Sequence, residues 1–344
     1  MKIGIVGATG YGGAELLRIL QAHPEFSITS LYTSSQQGKN IDEHYAHLTG
    51  LFPQKLEEIN PKKMAEETDL IFLATPSGIS SKLAPELVEQ GCSVIDLSGD
   101  FRIKNQMKYE QWYKKKAADR FWLEEAIYSL PELNREKVKG AKFISNPGCY
   151  PTATLLGLAP LVKKGLLTEN SIIIDAKSGV SGAGQSASLA TIYSELNENL
   201  KVYKVNQHQH IPEIEQMLES LGYVAPITFQ THLIPMTRGI MATIYGNIDT
   251  NITKEEIWDI YQQSYSDEPF IRLRKLGNFP TTKEVAGSNY CDIGLDFDER
   301  TSRVTIVSVI DNLMKGAASQ AVQNANIMFG FDETLGLQFS PVYP

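Results

Sequence analysis

Cysteine is scarce in this chain: Cys92, Cys149 and Cys291 are the only three among 344 residues. Cysteines this far apart form neither a disulfide framework nor a zinc-type cluster, so each is treated as a free thiol. Basic residues are also in deficit, 32 against 40 acidic ones, which gives a formal net charge of -8. Without a basic surface the chain is not expected to bind nucleic acid or an anionic membrane, and an anionic ligand would need local cations.

Long apolar runs are missing as well. None reaches the roughly 18 residues that a membrane-spanning helix needs. The first residues, Met1 to Gly7, enter a glycine-rich turn without the apolar segment of a signal peptide, so we expect a cytoplasmic protein. A hydrophobic content of 42% and a charged content of 21% are typical of a folded globular chain, here long enough for two domains.

The fold class follows from how apolar runs alternate. Short strand-like runs alternate with amphipathic ones in the first half: Lys2 to Val6, Ala14 to Ala22, Ser27 to Tyr32, Leu70 to Ala74, Ser80 to Gln90 and Ser93 to Asp96. This pattern predicts an α/β domain with a doubly wound parallel sheet of the Rossmann type. Beyond about residue 170 the runs predict an α+β domain with a mixed sheet: Ser171 to Ala176, Ile227 to Ile234, Gly239 to Ile248, Lys254 to Ser264 and Arg303 to Val309. Lys315 to Met328 is predicted to be a helix that returns to the first domain.

A glycine-rich loop joins the first predicted strand to the first predicted helix. Gly7, Gly10 and Gly13 have the spacing that lets a backbone turn approach a pyrophosphate at a helix N-terminus. The loop predicts a dinucleotide site whose residues are Gly7, Thr9, Gly10, Tyr11, Gly12 and Gly13. The alternative is a glycine-rich turn that binds nothing.

The cofactor preference is predicted from the end of the second strand. Enzymes that use NAD usually place an acidic residue there to bind the ribose 2'-hydroxyl. This chain has Ser34, Ser35 and Lys39 instead. Hydroxyls and a lysine suit a 2'-phosphate, so NADPH/NADP is the predicted cofactor. A plain polar loop is the alternative.

The candidate nucleophile lies in the segment Phe143 to Thr152. Pro147 and Gly148 turn the chain after a short strand, so Cys149 falls at or beside the start of a helix predicted for Thr152 to Lys163. A helix N-terminus favours the reactive thiolate, and its free amides can bind an oxyanion. Cys92 and Cys291 lack this setting and are predicted to be structural.

Acid-base chemistry is predicted for a cluster around two histidines. His208, His210 and Glu213 lie within six residues, and a histidine near a thiolate can form an ion pair with it and exchange its proton. A metal site is a weaker interpretation and none is predicted, because no cysteine or third histidine is nearby in the sequence. Hydrogen-bonded structural histidines are the remaining alternative. Arg102 and Arg238 each end or follow an apolar run and are candidates either for binding an anionic substrate or for ordinary ion pairs.

With these segments described, the chain resembles the N-acetyl-gamma-glutamyl-phosphate reductases of arginine biosynthesis, which are relatives of aspartate-semialdehyde dehydrogenase. The resemblance covers nearly the whole length and rests on eight segments: Gly7 to Gly13, Asp96 to Arg102, Ser145 to Thr152, Ser178 to Gly184, His208 to Glu213, His232 to Gly239, Gly287 to Asn289 and Asp311 to Ala317. One departure is Gln209, where many relatives have an arginine between the histidines.

The resemblance implies an organisation and residue roles. It implies a dinucleotide-binding domain of residues 1–148, completed by residues 313–344, a catalytic domain of residues 149–312, and a homodimer or homotetramer. Cys149 corresponds to the nucleophile, His208 to the acid-base group, and His210 and Glu213 to its companions. The residues predicted to lie near the cofactor are Ser178, Gly179, Gly182 and Asn312. The residues predicted to bind the substrate are Arg102, Asn146 and Arg238.

The predicted reaction is NADPH-dependent reduction of N-acetyl-glutamyl 5-phosphate through a thioester on Cys149. Because Cys149 and the nicotinamide must act on one carbonyl, the reaction site is expected between the domains. Aspartyl or aminoadipyl phosphate as the substrate stays open, since one methylene discriminates weakly. A non-catalytic NADP sensor is the rival of a different class, although a sensor has no need of both Cys149 and the histidine cluster.

Overall fold

A computed structural model describes residues 1–343. The chain divides into two compact units, one of residues 1–147 with 317–338, and one of residues 148–316 with 339–343. None of the helices within residues 1–343 has the length and hydropathy to span a bilayer.

The first unit is built on a seven-stranded sheet in which every pair of neighbouring strands is parallel. Its strands are β1 (Lys2–Val6), β2 (Ser27–Thr33), β3 (Leu56–Glu58), β4 (Leu70–Leu73), β5 (Ser93–Asp96), β6 (Ile127–Tyr128) and β7 (Phe143–Ser145), in the order β3-β2-β1-β4-β5-β7-β6. Its helices are α1 (Tyr11–Leu20), α2 (Pro61–Glu67), α3 (Ser80–Glu89), α4 (Gln106–Tyr113), α5 (Arg120–Glu125) and α6 (Pro131–Val138). The predicted doubly wound parallel sheet is confirmed.

The last long helix of the chain, Ala318–Met328, belongs to this first unit. It packs against α1 and α6. Buried polar contacts fix it there: His23 Nε2 lies 3.0 Å from Asn326 Oδ1, and Ser129 Oγ donates to Asn324 Oδ1 at 2.7 Å. Buried polar groups need such partners, so these contacts specify where the returning helix docks.

The second unit contains a mixed sheet, as predicted. Its strands are β8 (Ile173–Ser178), β9 (Lys201–Tyr203), β10 (Thr228–Leu233), β11 (Ile240–Asn247), β12 (Ile271–Leu273), β13 (Cys291–Asp298) and β14 (Arg303–Ile310), in the order β12-β13-β14-β11-β8-β10-β9. The pairs β8/β10 and β12/β13 are parallel and the others antiparallel. The helices of this unit are α7 (Cys149–Lys163), α8 (Tyr193–Leu196), α9 (Ile211–Ser220) and α10 (Lys254–Tyr265), so that the returning helix Ala318–Met328 is α11.

Helix α7 is the central helix of the second unit. It is buried continuously from Tyr150 to Val162 and packs on β11 and β14. Pro160 lies inside it and has no N–H for the carbonyl of Leu156. The hydroxyl of Tyr265 in α10 donates to that carbonyl instead, so the proline is tolerated. The helix that begins at Cys149 is therefore held rigidly along its length.

Candidate active site

The glycine loop between β1 and α1 is shaped by close backbone approaches. Gly7 has a φ of +86°, and a Cβ there would lie 2.4 Å from the carbonyl oxygen of Ala74. A Cβ on Gly13 would lie 2.3 Å from the carbonyl oxygen of Gly7. Gly10 is the N-cap of α1, and nothing lies within 4 Å of a Cβ on Gly12. Only glycine fits at positions 7 and 13, while the outer side of the loop is open, which suits a pyrophosphate at the α1 N-terminus.

The two glycines at positions 12 and 13 offer a matched test of this geometry. Gly13→Ala forces a Cβ into the Gly7 carbonyl, so we expect it to destabilise the protein by about 1–3 kcal/mol and to weaken NADPH binding at least about tenfold. Gly12→Ala introduces no clash in the helix, so its stability is expected to equal or exceed the wild-type value. Chemical unfolding and NADPH fluorescence titration measure the two effects. Equal stability of the two variants would contradict the packing argument.

The predicted 2'-phosphate residues follow β2, beside the glycine loop. Gly7 N donates to Tyr32 O at 3.1 Å, so the ends of β1 and β2 are adjacent. Ser34, Ser35 and Lys39 are exposed beyond this edge. Thr9 lies in the same region, and its carbonyl accepts a hydrogen bond from Tyr45 Oη at 2.8 Å. The edge therefore offers hydroxyls and one cation to a ligand. The segment of residues 31–39 contains no carboxylate.

Cys149 is the first residue of α7, three residues earlier than the predicted helix start, and Gly148 is the N-cap. The side chain of Cys149 is half-buried. The turn before it is fixed from two sides, because Gly148 N donates to Glu213 Oε1 at 2.8 Å and Thr152 Oγ1 donates to Gly148 O at 2.9 Å. The thiol is thus held at a helix N-terminus, where the helix dipole favours the thiolate.

A cavity of about 420 Å³ opens at Cys149 within the second unit. Its wall includes both predicted histidines, His208 and His210, and part of the glycine-rich loop after β8, Ser178 and Gly182. Residues from four separate stretches of the chain therefore meet around one thiol. The cavity is large enough for a substrate of amino-acid size.

His208 lies in an aromatic environment and is only 3% exposed. Its ring centroid is 5.5 Å from those of Tyr150 and Phe229 and 5.7 Å from that of Tyr203. Burial, reinforced by the positive charge of Lys204, lowers the pKa of His208 to about 3. The amide of His210 donates to His208 Nδ1 at 3.2 Å, so the neutral ring carries its proton on Nε2.

This low pKa has a measurable consequence for stability. An unfolded histidine takes up a proton below about pH 6.5, whereas folded His208 excludes it down to about pH 3, so stability is lost as the pH falls between these values. Between pH 7 and pH 4.5 the wild type should lose roughly 2 kcal/mol more unfolding free energy than His208→Asn. Urea unfolding of both proteins at the two pH values measures the difference. Equal losses would show that His208 is not held neutral.

His210 and Glu213 complete the cluster. His210 is the N-cap of α9 and Glu213 lies in its first turn, with Nε2 and Oε2 4.0 Å apart. Glu213 is fully buried, and its other oxygen accepts from the amide of Gly148 next to Cys149. These two residues therefore link the histidine cluster to the turn that carries the thiol. Within residues 1–343 no group of three or more His, Cys, Asp or Glu side chains converges on a metal position.

Two tyrosines and two lysines in the cavity wall were missed by the sequence analysis: Tyr150, Tyr203, Lys201 and Lys204. The hydroxyls of Tyr150 and Tyr203 are 2.9 Å apart. Burial raises the pKa of both phenols, that of Tyr203 to about 12, so both stay protonated as hydrogen-bond donors. Their nearness to Cys149 and His208 in the sequence was the available signal, but strand β9 is too short to be recognised by alternation.

Three of the four predicted cofactor residues of the second unit, Ser178, Gly179 and Asn312, are buried, and Gly182 is exposed. Asn312 Oδ1 accepts from Gly239 N at 2.7 Å, and its Nδ2 donates to Ser181 Oγ at 2.9 Å. A Cβ on Gly179 would lie 2.7 Å from Thr237 O. A Cβ on Gly182 would lie 3.0 Å from Ser178 Oγ. Asn312 therefore holds the Ser178 to Gly184 loop at the end of β8, where the loop forms part of the cavity wall.

The three predicted substrate residues make protein contacts. Arg238 forms a two-pronged pair with buried Asp311, at 3.0 and 3.3 Å. Arg102, in the first unit, donates to the carbonyls of Asn146 and Leu97 at 2.8 and 2.7 Å. The amide of Asn146 is bonded to the Ala317 carbonyl and to Asn324. The guanidinium charge of Arg238 is thus already compensated within the fold.

Comparison with known proteins identifies the relatives of this chain. A family model described as the semialdehyde dehydrogenase NAD-binding domain matches residues 2–141, and one described as the semialdehyde dehydrogenase dimerisation domain matches residues 149–312. Proteins named N-acetyl-gamma-glutamyl-phosphate reductase from Geobacillus sp. (strain WCH70) and Bacillus subtilis (strain 168) are 59% and 57% identical, over 100% of both chains in each case.

Solved structures of lower identity share the fold. Aspartate semialdehyde dehydrogenase II from Vibrio cholerae, complexed with ASA, superimposes with a TM-score of 0.72 at 20% identity, covering 95% of this chain and 97% of that one. Aspartate semialdehyde dehydrogenase with NADP from Candida albicans gives 0.70 at 18% identity, covering 95% and 98%.

Proposed function

Because the chain belongs to the semialdehyde dehydrogenase family and is similar over its full length to N-acetyl-gamma-glutamyl-phosphate reductases, we propose that it catalyses their reaction. The reaction is NADPH-dependent reduction of N-acetyl-glutamyl 5-phosphate to N-acetyl-glutamate 5-semialdehyde and phosphate, a step of arginine biosynthesis. The observation that carries the proposal is Cys149 at the first position of α7, in one cavity with His208.

The first chemical step belongs to Cys149. Its thiolate attacks the acyl carbon, the bond from that carbon to the phosphate oxygen breaks, and phosphate leaves with the electron pair. Phosphate is a good leaving group, so this step needs little acid catalysis. The positive end of the α7 dipole is available to stabilise the carbonyl oxygen as it becomes negative. A thioester on Cys149 results.

NADPH, when bound, supplies the hydride that reduces the thioester carbon. The glycine loop with its open outer side fits the pyrophosphate, and Ser34, Ser35 and Lys39 fit a 2'-phosphate. The resulting thiohemiacetal collapses to the aldehyde and returns the electrons of the C–S bond to Cys149. The cofactor and Cys149 must reach the same carbon for this step to occur.

The hydrogen bond that stabilises the reacting oxygen in these steps is assigned to His208. As a neutral ring with its proton on Nε2, His208 is a hydrogen-bond donor to the oxygen that becomes negative when hydride is added. His210 and Glu213 are positioning residues, since one donates its amide to His208 and the other accepts from Gly148. Direct contacts of Arg102, Asn146 and Arg238 with the substrate remain predictions.

The proposal extends to assembly and location. The match of residues 149–312 to a dimerisation domain supports a homo-oligomer, a dimer or tetramer. Alternate residues along β11 are half-exposed, so this face of the second sheet is open to a partner subunit. A biosynthetic reductase that uses NADPH is expected in the cytoplasm.

The test is NADP-linked absorbance in the reverse direction with phosphate present, comparing N-acetyl-glutamate semialdehyde with aspartate semialdehyde. Preference for the acetylated aldehyde supports the proposal. Preference for aspartate semialdehyde would keep the proposed mechanism and assign a different acyl phosphate as the substrate. No turnover with either would favour a protein that binds NADP without catalysis.

A further inference from the structure

The cavity at Cys149 needs a cation, and the arginines predicted for this purpose do not line it. The proposed substrate carries a carboxylate as well as the acyl phosphate. Arg238 is paired with buried Asp311, and Arg102 belongs to the first unit. Among the described residues that form the cavity wall, the lysines Lys201 and Lys204 are the only residues with a permanent positive charge.

Lys204 is the more constrained of the two lysines. Its Nζ donates to Gln209 Oε1 at 2.6 Å, which ties the ammonium group to the residue between the two histidines. The backbone at Lys204 is left-handed, with a φ of +47°, in the short connection between β9 and His208. Non-glycine residues rarely adopt this conformation, so the surrounding structure holds the backbone at Lys204 in place.

Lys204 lines the cavity together with His208, close enough for its positive charge to act on that histidine. Desolvation lowers the pKa of Lys204, and its charge in turn helps to lower the pKa of His208. Both lysines are exposed to solvent, and Lys204 differs from Lys201 of β9 in the hydrogen bond that ties its ammonium group to Gln209. A charge that perturbs His208 is close enough to act on a ligand that lies between His208 and Cys149.

The two anionic groups of the substrate have different requirements. The phosphate is bonded to the carbon that Cys149 attacks, so it lies beside the N-terminus of α7, whose dipole favours an anion. It then departs. The carboxylate stays on the acyl group through both chemical steps, and a cation fixed in the wall would hold the acyl group in place throughout.

On this basis, and resting on the proposed function, we propose that Lys204, anchored by Gln209 in the wall of the Cys149 cavity, binds the carboxylate of the acyl substrate and so selects acidic aldehydes and acyl phosphates. Lys204 is then a specificity-determining residue rather than a participant in proton transfer. The preference it creates is for an amino-acid skeleton that retains its carboxylate over one that lacks it.

The test compares two aldehydes with and without that carboxylate. N-acetyl-glutamate semialdehyde and 4-acetamidobutanal, the same skeleton without the carboxylate, are assayed by NADP reduction with phosphate. Lys204→Met keeps the length of the side chain and removes the charge, and Lys204→Arg restores a charge. Lys201→Met is the matched control in the same wall.

We expect Lys204→Met to lower kcat/KM for the acidic aldehyde about 10- to 100-fold, the usual effect of losing a hydrogen bond to a charged group. The value for 4-acetamidobutanal and the KM for phosphate should change less than about twofold, and Lys204→Arg should recover part of the loss. Because both aldehydes depend equally on His208, an indirect effect of Lys204 on that histidine would lower both values together.

Several outcomes would overturn the inference. Equal losses for the two aldehydes would mean that Lys204 acts through His208 or the fold. A raised KM for phosphate alone would assign the lysine to the phosphate. A loss in Lys201→Met as large as in Lys204→Met would remove the assignment to Lys204. If the wild type is inactive with N-acetyl-glutamate semialdehyde, both the proposed function and this inference are overturned. If the wild type is active and any of the three outcomes above is found, only the inference is overturned.

Discussion

Cys149→Ala is expected to abolish turnover, by at least about 10⁴-fold in kcat, while changing NADPH affinity less than about twofold. The thiol is half-buried in the cavity wall, so its removal deletes the atom that forms the thioester and little packing. The glycine loop proposed for the cofactor lies on a separate stretch of chain, between β1 and α1. Steady-state kinetics and NADPH titration of the purified variant measure the two quantities.

A second measurement isolates the covalent step. Without phosphate, wild-type enzyme given the aldehyde and NADP should form the thioester and stop, producing a burst of about one NADPH per active site. Cys149→Ala should give no burst. The other two thiols supply the controls, since Cys92 and Cys291 are fully buried and Cys291 Sγ lies 3.3 Å from Ser308 Oγ. Cys92→Ala and Cys291→Ala should retain the burst, and a full burst in Cys149→Ala would refute the thioester.

Much of the fold was predictable because its signals are local. The β1 run and the glycine spacing after it identify a strand, a turn and a helix without reference to the rest of the chain. Boundaries were less accurate: α1 begins at Tyr11 rather than Ala14, and α11 at Ala318 rather than Lys315. Strand β13 was missed because five of its eight residues are buried in succession, so alternation was weak.

The candidate site was predictable only where one segment carries the chemistry. Cys149 stands out because the turn before it and the helix after it are contiguous in sequence. The Glu213 contact to Gly148 joins residues 65 positions apart, and no local pattern encodes it. The Asp311 partner of Arg238 is 73 positions away for the same reason. Whether the charge of an arginine or lysine is already paired depends on such long-range contacts. For this reason Lys204 could be recognised as a candidate substrate-binding residue only from the structure.

The second large effect is expected from His208→Asn, a loss of about 10²- to 10⁴-fold in kcat with a change of less than about fivefold in NADPH affinity. Asparagine replaces one of the two ring nitrogens of His208 and not the other. Its side-chain oxygen can replace Nδ1 as acceptor of the His210 amide, while nothing replaces Nε2, the atom that carries the proton. The contact that shapes the turn is therefore kept and the proposed hydrogen-bond donor is removed.

His210→Asn is the matched comparison, because asparagine is a favourable N-cap for α9 and the His210 amide remains to hold His208. We expect a loss of less than about tenfold in kcat, since His210 acts by positioning. Melting temperatures of both variants control for the fold. If His210→Asn lost more activity than His208→Asn at equal stability, the role proposed for His208 would instead belong to His210. Glu213, whose Oε2 lies 4.0 Å from His210 Nε2, would then be its partner.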